Sequence, residues 1–297
     1  MSRTYVAGGS SPLEAGLAHA AYLAIRLPAT YAAVRATLGM IPGGLRDGVR
    51  SALDLGAGPG TATWALRDAC HLDSVLQVDR SAAMLSLAAR LAERVTDAAA
   101  PTVTGRTADL GRGGPWPAAD IAVAAYSLAE LDGAGRRALV SAAWAAAPIV
   151  VLVEPGTPDG FGRIHDARRL LLDAGAALVA PCPHGDVCPM HATPGEWCHF
   201  AVRVPRTRRH RQLKGGTLGY EDEKFACLVV TRLPVSEPGG SRILRHPRID
   251  KGRIGMLVCA PTTAQPIVVT RHDPRFRAAR KTSWGDRWPP HDDADAS

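Results

Sequence analysis

The chain is 297 residues long, is 46% hydrophobic and carries a formal net charge of +7, so it holds apolar material for one large or two modest cores. No apolar run approaches the ~20 residues that span a bilayer, and no secretory apolar core opens the chain, which argues against a membrane or exported protein. Arginine outnumbers lysine 31 to 4 among many Ala and Gly. This bias resembles a GC-rich bacterial genome and predicts a bacterial, cytoplasmic protein. Residues 1–40 are arginine-bearing and alanine-rich, as a transit peptide is, but Glu14 and regular helical spacing argue against one.

Leu13, Leu17, Ala20, Leu23 and Ala24 recur at helical spacing, so residues 11–38 read as two helices divided at Pro28. They make a helical N-terminal segment, 1–48, expected to pack on the domain that follows. Ala52-Leu53-Asp54-Leu55 reads as a buried strand. It breaks into Gly56-Ala57-Gly58-Pro59-Gly60, and an alanine-rich helical pattern follows over 61–70. In a strand–turn–helix context, glycines permit a tight turn and let the backbone approach a ligand at the helix start. Asp54, Gly56, Gly58 and Gly60 are therefore candidate cofactor residues. The pattern Asp-x-Gly-x-Gly-Pro-Gly resembles the first motif of class I S-adenosylmethionine (SAM) methyltransferases, whose loop wraps the amino-acid part and ribose of SAM.

A second strand, 74–79, ends in Asp79, about 20 residues beyond the loop, where an acid hydrogen-bonds ribose hydroxyls. A helix over 81–95 follows, with Ser81 as its cap. A third strand over 102–110 brings Asp109, a candidate for the adenine amino group. A fourth over 119–127 brings Tyr126. After a helix at 135–146, the fifth strand, 148–154, is nearly all apolar, as a central parallel strand is, and ends in Glu154. The alternation predicts an α/β, Rossmann-like doubly wound core over 49–180, with its ligand at the carboxyl ends of the strands.

The second half differs in character. A helical pattern at 161–178 leads into a loop, 181–199, rich in Cys, Pro and His. Arg203, Arg206, Arg208, Arg209, Arg211 and Lys214 form an acid-free basic run. Strands over 224–231, 253–259 and 266–270 are expected to complete the antiparallel edge of the same sheet within 217–288. The tail, 289–297, reads as disordered. Residues 1–150 hold 13 Arg and 12 acids, and the remainder holds 22 Lys and Arg against 16 acids. The basic excess therefore lies in the second half and suggests a polyanion partner there. Arg271, Arg275, Arg277, Arg280 and Lys281 make a second candidate patch.

Of the six cysteines, Cys70 and Cys227 read as core residues, while Cys182, Cys188 and Cys198 share one loop and Cys259 ends a strand. The spacing lacks the short Cys-x2-Cys pairs of zinc ribbons. Proline follows three of the four closely, a feature also found beside iron–sulfur cysteines. Spacing leaves a metal site with zinc or iron–sulfur open, and His184, His191 and His199 stand near enough in sequence to join a zinc site.

Ala180-Pro181-Cys182-Pro183-His184, Cys188-Pro189, Trp197-Cys198-His199-Phe200, the run from Arg208 to Gly216, and Gly219-Tyr220-Glu221-Asp222-Glu223-Lys224-Phe225 go together. With Arg26-Leu27-Pro28-Ala29-Thr30-Tyr31 and Trp284-Gly285-Asp286-Arg287-Trp288, they resemble the Rsm-twenty-two family of small-ribosomal-subunit methyltransferase-like proteins, found in bacteria and mitochondria. The resemblance implies a class I SAM methyltransferase fold with a Cys-rich metal-binding insertion at 181–216. It implies association with the small ribosomal subunit and its rRNA, and the protein is expected to be monomeric when free. It also implies a four-iron four-sulfur cluster on Cys182, Cys188, Cys198 and Cys259, with zinc as the alternative. Catalysis is left open. The Asn/Asp-Pro-Pro-Tyr motif of amino methyltransferases is missing after the fourth strand, where Ala125-Tyr126-Ser127-Leu128-Ala129-Glu130 stands. Two readings follow: an rRNA methyltransferase, or a SAM-binding, cluster-bearing assembly factor without turnover.

Overall fold

Successive strand residues point to opposite faces, so the nearly continuous apolar runs at 52–55, 121–125 and 149–153 bury side chains on both faces of one sheet, which the intervening helices cover. The computed structural model describes residues 25–95, 100–206, 208, 211, 217–235, 240–261 and 263–289. Its parallel strands are β1 (Ser51–Leu55), β2 (Ser74–Asp79), β3 (Thr102–Thr107), β4 (Ile121–Ala125) and β5 (Ile149–Pro155). Three more strands, β6 (Ala177–Ala180), β7 (Phe200–Pro205) and β8 (Tyr220–Thr231), extend the sheet. The order is β3-β2-β1-β4-β5-β8-β6, with β7 paired to β8. β8 runs antiparallel to both β5 and β6. This order, with an antiparallel strand between the fifth and sixth, is the α/β Rossmann-like methyltransferase sheet.

Helices α1 (Leu27–Leu38), α2 (Thr61–Arg67), α3 (Ala82–Ala92), α4 (Gly133–Ala146) and α5 (Pro158–Asp173) flank it. Ile121, Val123, Val151 and Val153 face a core shared with Val34 and Leu38 of α1 and Leu66 of α2. Their neighbours Ala122, Ala124, Val150 and Leu152 face the opposite core, with Leu139 of α4 and Leu171 of α5. Pro28 lies in the first turn of α1, where its missing N–H costs nothing. The earlier predicted helix, the basic-run residues Arg209 and Lys214, and the tail beyond residue 289 lie outside the described residues.

Three sequence expectations are corrected. The helical pattern at 161–178 ends at Asp173, because Gly175 takes a left-handed backbone (φ +82°) and turns the chain into β6. The basic run begins as a strand, β7, which the apolar Phe200, Val202 and Val204 fit. The late strands do not complete the first sheet: only β8 does. β9 (Ser241–Ile243), β10 (Arg248–Asp250), β11 (Arg253–Ala260), β12 (Thr263–Thr270) and β13 (Arg287–Trp288) form a second, five-stranded antiparallel sheet. β5 occupies one edge of β8, and β6 and β7 occupy the other. The second sheet instead closes its own core of Ile243, Ile254, Met256, Val258, Val269 and Trp288.

Candidate cofactor face and cysteine cavity

The turn after β1 is built for glycine. Gly56, Gly58 and Gly60 all have positive φ (83°, 53° and 81°). A Cβ on Gly56 would lie 2.6 Å from Ser127 Cβ, and one on Gly60 would lie 2.6 Å from Gln77 Nε2. Gly56 and Ala57 both donate their N–H groups to the Val78 carbonyl, at 2.8 and 3.1 Å. The loop is thereby tied to the end of β2. Asp79, at that end, accepts from Gly58 N at 2.8 Å through one oxygen and from Ser81 N at 2.8 Å through the other. Each carboxylate oxygen has a second lone pair, so Asp79 both holds the loop and keeps acceptor capacity toward the face.

Asp54 sits differently. It is fully buried and accepts from Thr63 N at 2.9 Å and Thr63 Oγ1 at 2.7 Å. Gly60, the residue before α2, has no side chain to cap it, and Asp54 serves that helix start instead. Burial raises its pKa to about 6 against the opposing Thr63 hydrogen bonds, and the neighbouring Asp79 charge adds to the rise. Asp109 follows β3, caps the turn Leu110–Arg112 by accepting from Gly111 N at 2.9 Å, and pairs with Arg112 at 3.5 Å. The face therefore gathers the glycine loop, Asp79, Asp109 and Tyr126 at the carboxyl ends of the parallel strands, with Asp54 set beneath it.

Tyr126 stands at the end of β4 with φ +59°, the left-handed region a bulky side chain seldom adopts. Its hydroxyl donates to Glu223 Oε1 at 2.8 Å, and the Arg26 guanidinium lies 5.2 Å above its ring. Arg26 also pairs with Glu223 at 3.7 Å. Burial, then the Glu223 charge, push the phenol well above its ordinary pKa. Glu154, buried at the end of β5, accepts from Leu128 N at 3.1 Å and Arg163 Nε at 2.7 Å. It braces the segment after β4. β8 continues past β5 toward this face, because Phe225 pairs with Pro155 at the end of β5 and Tyr220 to Lys224 pair in register only with β7.

The cysteine loop and the second sheet meet at a separate cavity. Cys182, Cys188 and Cys198 from the loop after β6, and Cys259 from the end of β11, line one cavity of about 40 Å³. All four are free. Among the described residues, no three His, Cys, Asp or Glu side chains stand in a preformed metal-holding arrangement, so the predicted metal-binding insertion is present as a convergence of thiols and not as a finished cage. Burial pushes the Cys182, Cys198 and Cys259 thiols up, that of Cys259 to about 12, and neighbouring cysteines push the same way. His184 Nε2 lies 3.5 Å from Cys259 Sγ, whereas His165 and His191 stack on each other at 3.6 Å. Cys227 reaches the same cavity, although sequence reading placed it only in the core.

Two arginines on the cavity wall carry no signal in the sequence. Arg168 and Arg242 are 5% and 6% exposed. Arg168 donates to the carbonyls of His184 and Asp186 at 3.0 and 2.8 Å. Arg242 donates to those of Pro181 and Gly285 at 2.7 and 2.9 Å. Neither has a carboxylate partner among the described residues. A buried guanidinium without a counter-charge is strongly unfavourable, and the groups able to supply negative charge at this cavity are the cysteines. An anionic thiolate centre therefore fits the residues present.

The basic run is divided by the fold. Arg203 forks onto Asp222 at 2.9 and 3.3 Å, and Arg206 donates to Glu221 at 2.8 Å. These acids arrive from β8, across the hairpin, so the first two cations of a run without acids in sequence are paired in space. Arg208 and Arg211 are exposed.

A family model described as mitochondrial small ribosomal subunit Rsm22 matches residues 17–289. The chain belongs to the Rsm22 family. This Rsm22-family chain is 29% identical over 259 residues to the human mitochondrial ribosome assembly protein METTL17, covering 80% of this chain and 55% of that protein. It is 26% identical over 183 residues to the mitochondrial Rsm22-cox11 tandem protein 2 of Schizosaccharomyces pombe, covering 48% of this chain and 24% of that protein. The chain thus spans about half the length of the human relative and a quarter of the yeast one. Among solved structures it is similar to the magnesium protoporphyrin IX methyltransferase of Synechocystis PCC 6803 with bound SAM, at 18% identity over 76% of this chain and 87% of that one, TM-score 0.46. It is also similar to a putative RNA methyltransferase, PH1948, of Pyrococcus horikoshii, at 13% identity over 64% and 76%, TM-score 0.41. The expectation of a bacterial cytoplasmic protein is overturned, because the matched family and these relatives are mitochondrial. Arginine over lysine reflects base composition and says nothing of compartment. No described helix is long and apolar enough to cross a membrane.

Proposed function

We propose that this chain is a small-ribosomal-subunit assembly protein that binds SAM on the methyltransferase face and carries a metal centre, iron–sulfur before zinc, on Cys182, Cys188, Cys198 and Cys259. The observation that carries the reading is the pair of buried guanidiniums at the cysteine cavity, within a chain that matches the Rsm22 family over residues 17–289 and a ribosome assembly protein over 80% of its length. Four thiolates around a dicationic centre leave two negative charges, which Arg168 and Arg242 offset. When bound, the centre supplies a fixed link among four thiolates. Three of these come from the loop before β7 and one from the second sheet, so the centre joins the two sheets.

On the cofactor face, the glycine loop offers backbone close to the ligand, and Asp79 accepts from ribose hydroxyls. Asp109 caps its own turn and keeps free acceptor positions toward the adenine end. Arg208, Arg209, Arg211 and Lys214, which follow β7 in sequence, are proposed rRNA contacts, whereas Arg203 and Arg206 serve the hairpin first. A second reading, methyl transfer to rRNA, is favoured by the intact loop and Asp79. It is disfavoured by Tyr126, whose hydroxyl is committed to Glu223 and whose ring is covered by Arg26. Incubating the protein with tritiated methyl-SAM and small subunits from a deletion strain separates the two. Binding of SAM without label entering rRNA is expected; label in rRNA overturns the non-catalytic reading, and absence of SAM binding overturns the cofactor reading.

A further inference from the structure

The electrostatic pole of the molecule is neither the hairpin nor the cysteine loop. Residues 240–289 hold eleven Lys and Arg against three acids, a net +8 that exceeds the +7 of the whole chain. The three acids are taken: Asp250 is shared by Arg248 at 3.3 Å and Arg253 at 3.6 Å, Asp273 is forked by Arg275 at 3.0 and 2.8 Å, and Asp286 accepts from Ser283 N at 2.7 Å. Lys251, Arg271 and Arg280 are exposed and have no carboxylate partner among the described residues. They are also gathered. The β10–β11 turn, the end of β12 and the helical turn Phe276–Ala279 enclose one open concavity, lined by these three cations with Ile249, Phe276, Asp250 and Gly252. Gly252, at φ +80°, makes the turn, and its carbonyl accepts from Arg271 N at 2.9 Å, which sets Arg271 beside Lys251. Ile249 is 60% exposed at this concavity, a large apolar side chain left open among cations.

We propose that this concavity is a binding site for single-stranded or unpaired RNA, in which Lys251, Arg271 and Arg280 hold backbone phosphates while Ile249 and Phe276 receive a base or sugar face. The inference rests on the ribosomal reading above for its choice of polyanion. Cations around an apolar floor are what a flexible nucleic-acid strand needs, since its phosphates and its bases are recognised together. An acidic protein would supply charge without a flat apolar partner for Ile249. The site is remote from the other two: six residue steps along β11, about 20 Å of extended strand, separate Arg253 at this end from Cys259 at the cysteine cavity.

The test uses the full chain, a fluorescent unstructured RNA of about 20 nucleotides, and anisotropy across a salt series. The triple change Lys251→Gln, Arg271→Gln, Arg280→Gln is expected to weaken binding about tenfold or more near physiological salt. It should flatten the salt dependence by about two units of log slope, at ~0.7 per phosphate contact on a single strand. Ile249→Ser is expected to weaken binding with the slope unchanged. Metal content, SAM binding and melting temperature of each variant should match the parent, which separates a lost contact from a lost fold. A triple variant that binds RNA with the parent's affinity and slope overturns the site while leaving the ribosomal reading intact. A parent that binds no RNA overturns both, and a parent that binds anionic phosphatidylserine vesicles through these residues in preference to RNA assigns the concavity to a lipid surface.

Discussion

Asp54 is a buried carboxylate with no ion-pair partner among the described residues, held by the N–H and hydroxyl of Thr63. Its pKa is about 6 in the folded chain against the ordinary 3.8. Between those values the folded state binds a proton that the unfolded state has lost. Stability therefore falls as pH rises through this window, by roughly 3 kcal/mol at 1.36 kcal/mol per unit. Asp54→Asn removes the ionisation and keeps an acceptor for Thr63. Urea unfolding at pH 4 and pH 7 is expected to show a smaller loss between the two in the variant than in the parent. Equal losses would assign the pH dependence elsewhere. Asp54 thus contributes to the cofactor face by fixing α2, and its position in the motif is a statement about the helix start.

The strand–loop–helix unit of β1, the glycine turn and α2 is held from the side by Asp79. Replacing Asp79 by Ala removes the acceptor of Gly58 N and the proposed ribose acceptor together. SAM affinity is expected to fall by about 1–3 kcal/mol. Asp79→Asn, which keeps one oxygen acceptor, is expected to fall in between. Calorimetry with unchanged affinity in the Ala variant would remove Asp79 from the site. The β7–β8 hairpin teaches a related lesson. Six cations adjacent in sequence look like one patch, but cross-strand neighbours in an antiparallel pair are as close as sequence neighbours. Asp222 faces Arg203 in register, and Glu221 comes within reach of Arg206.

For the whole molecule, the cysteine cavity is the junction. Cys259 belongs to the second sheet and its three partners to the first body, and Arg242 of β9 reaches across to Pro181. A centre on these thiols would hold the sheets in one arrangement, and hence the basic concavity relative to the cofactor face. Cys259→Ser is expected to lose iron from anaerobically prepared protein and to raise hydrogen exchange in β9, β11 and β12, while SAM binding is kept. Cys70→Ser is expected to keep its iron. Stoichiometric zinc without iron in the parent would replace the cluster by a zinc staple with the same charge. Arg168→Gln is expected to lower metal retention with all four cysteines present, since one of the two counter-charges is gone; full retention would show that the guanidinium is not part of the charge balance.

The sequence by itself determined the five parallel strands of the first sheet and its antiparallel β8, and with them where the carboxyl ends of the parallel strands lie. Strand and helix periods are local, and so is a glycine fingerprint with an acid one strand later. Cys182, Cys188, Cys198 and Cys259, grouped in sequence through the family resemblance, line one cavity, which Cys227 joins. What only the tertiary structure decided is everything that depends on partners distant in the chain. β6 was hidden in an apparent helix because Ala-Ala-Leu-Val-Ala satisfies either period until Gly175 breaks it. The second sheet was invisible because its strands carry the same alternation as edge strands of the first, and only the prior occupation of the β8 edges sends them elsewhere. Arg168 and Arg242 look like ordinary surface cations in sequence. Burial beside four thiols, which no local pattern encodes, turns them into the charges that point to an anionic centre.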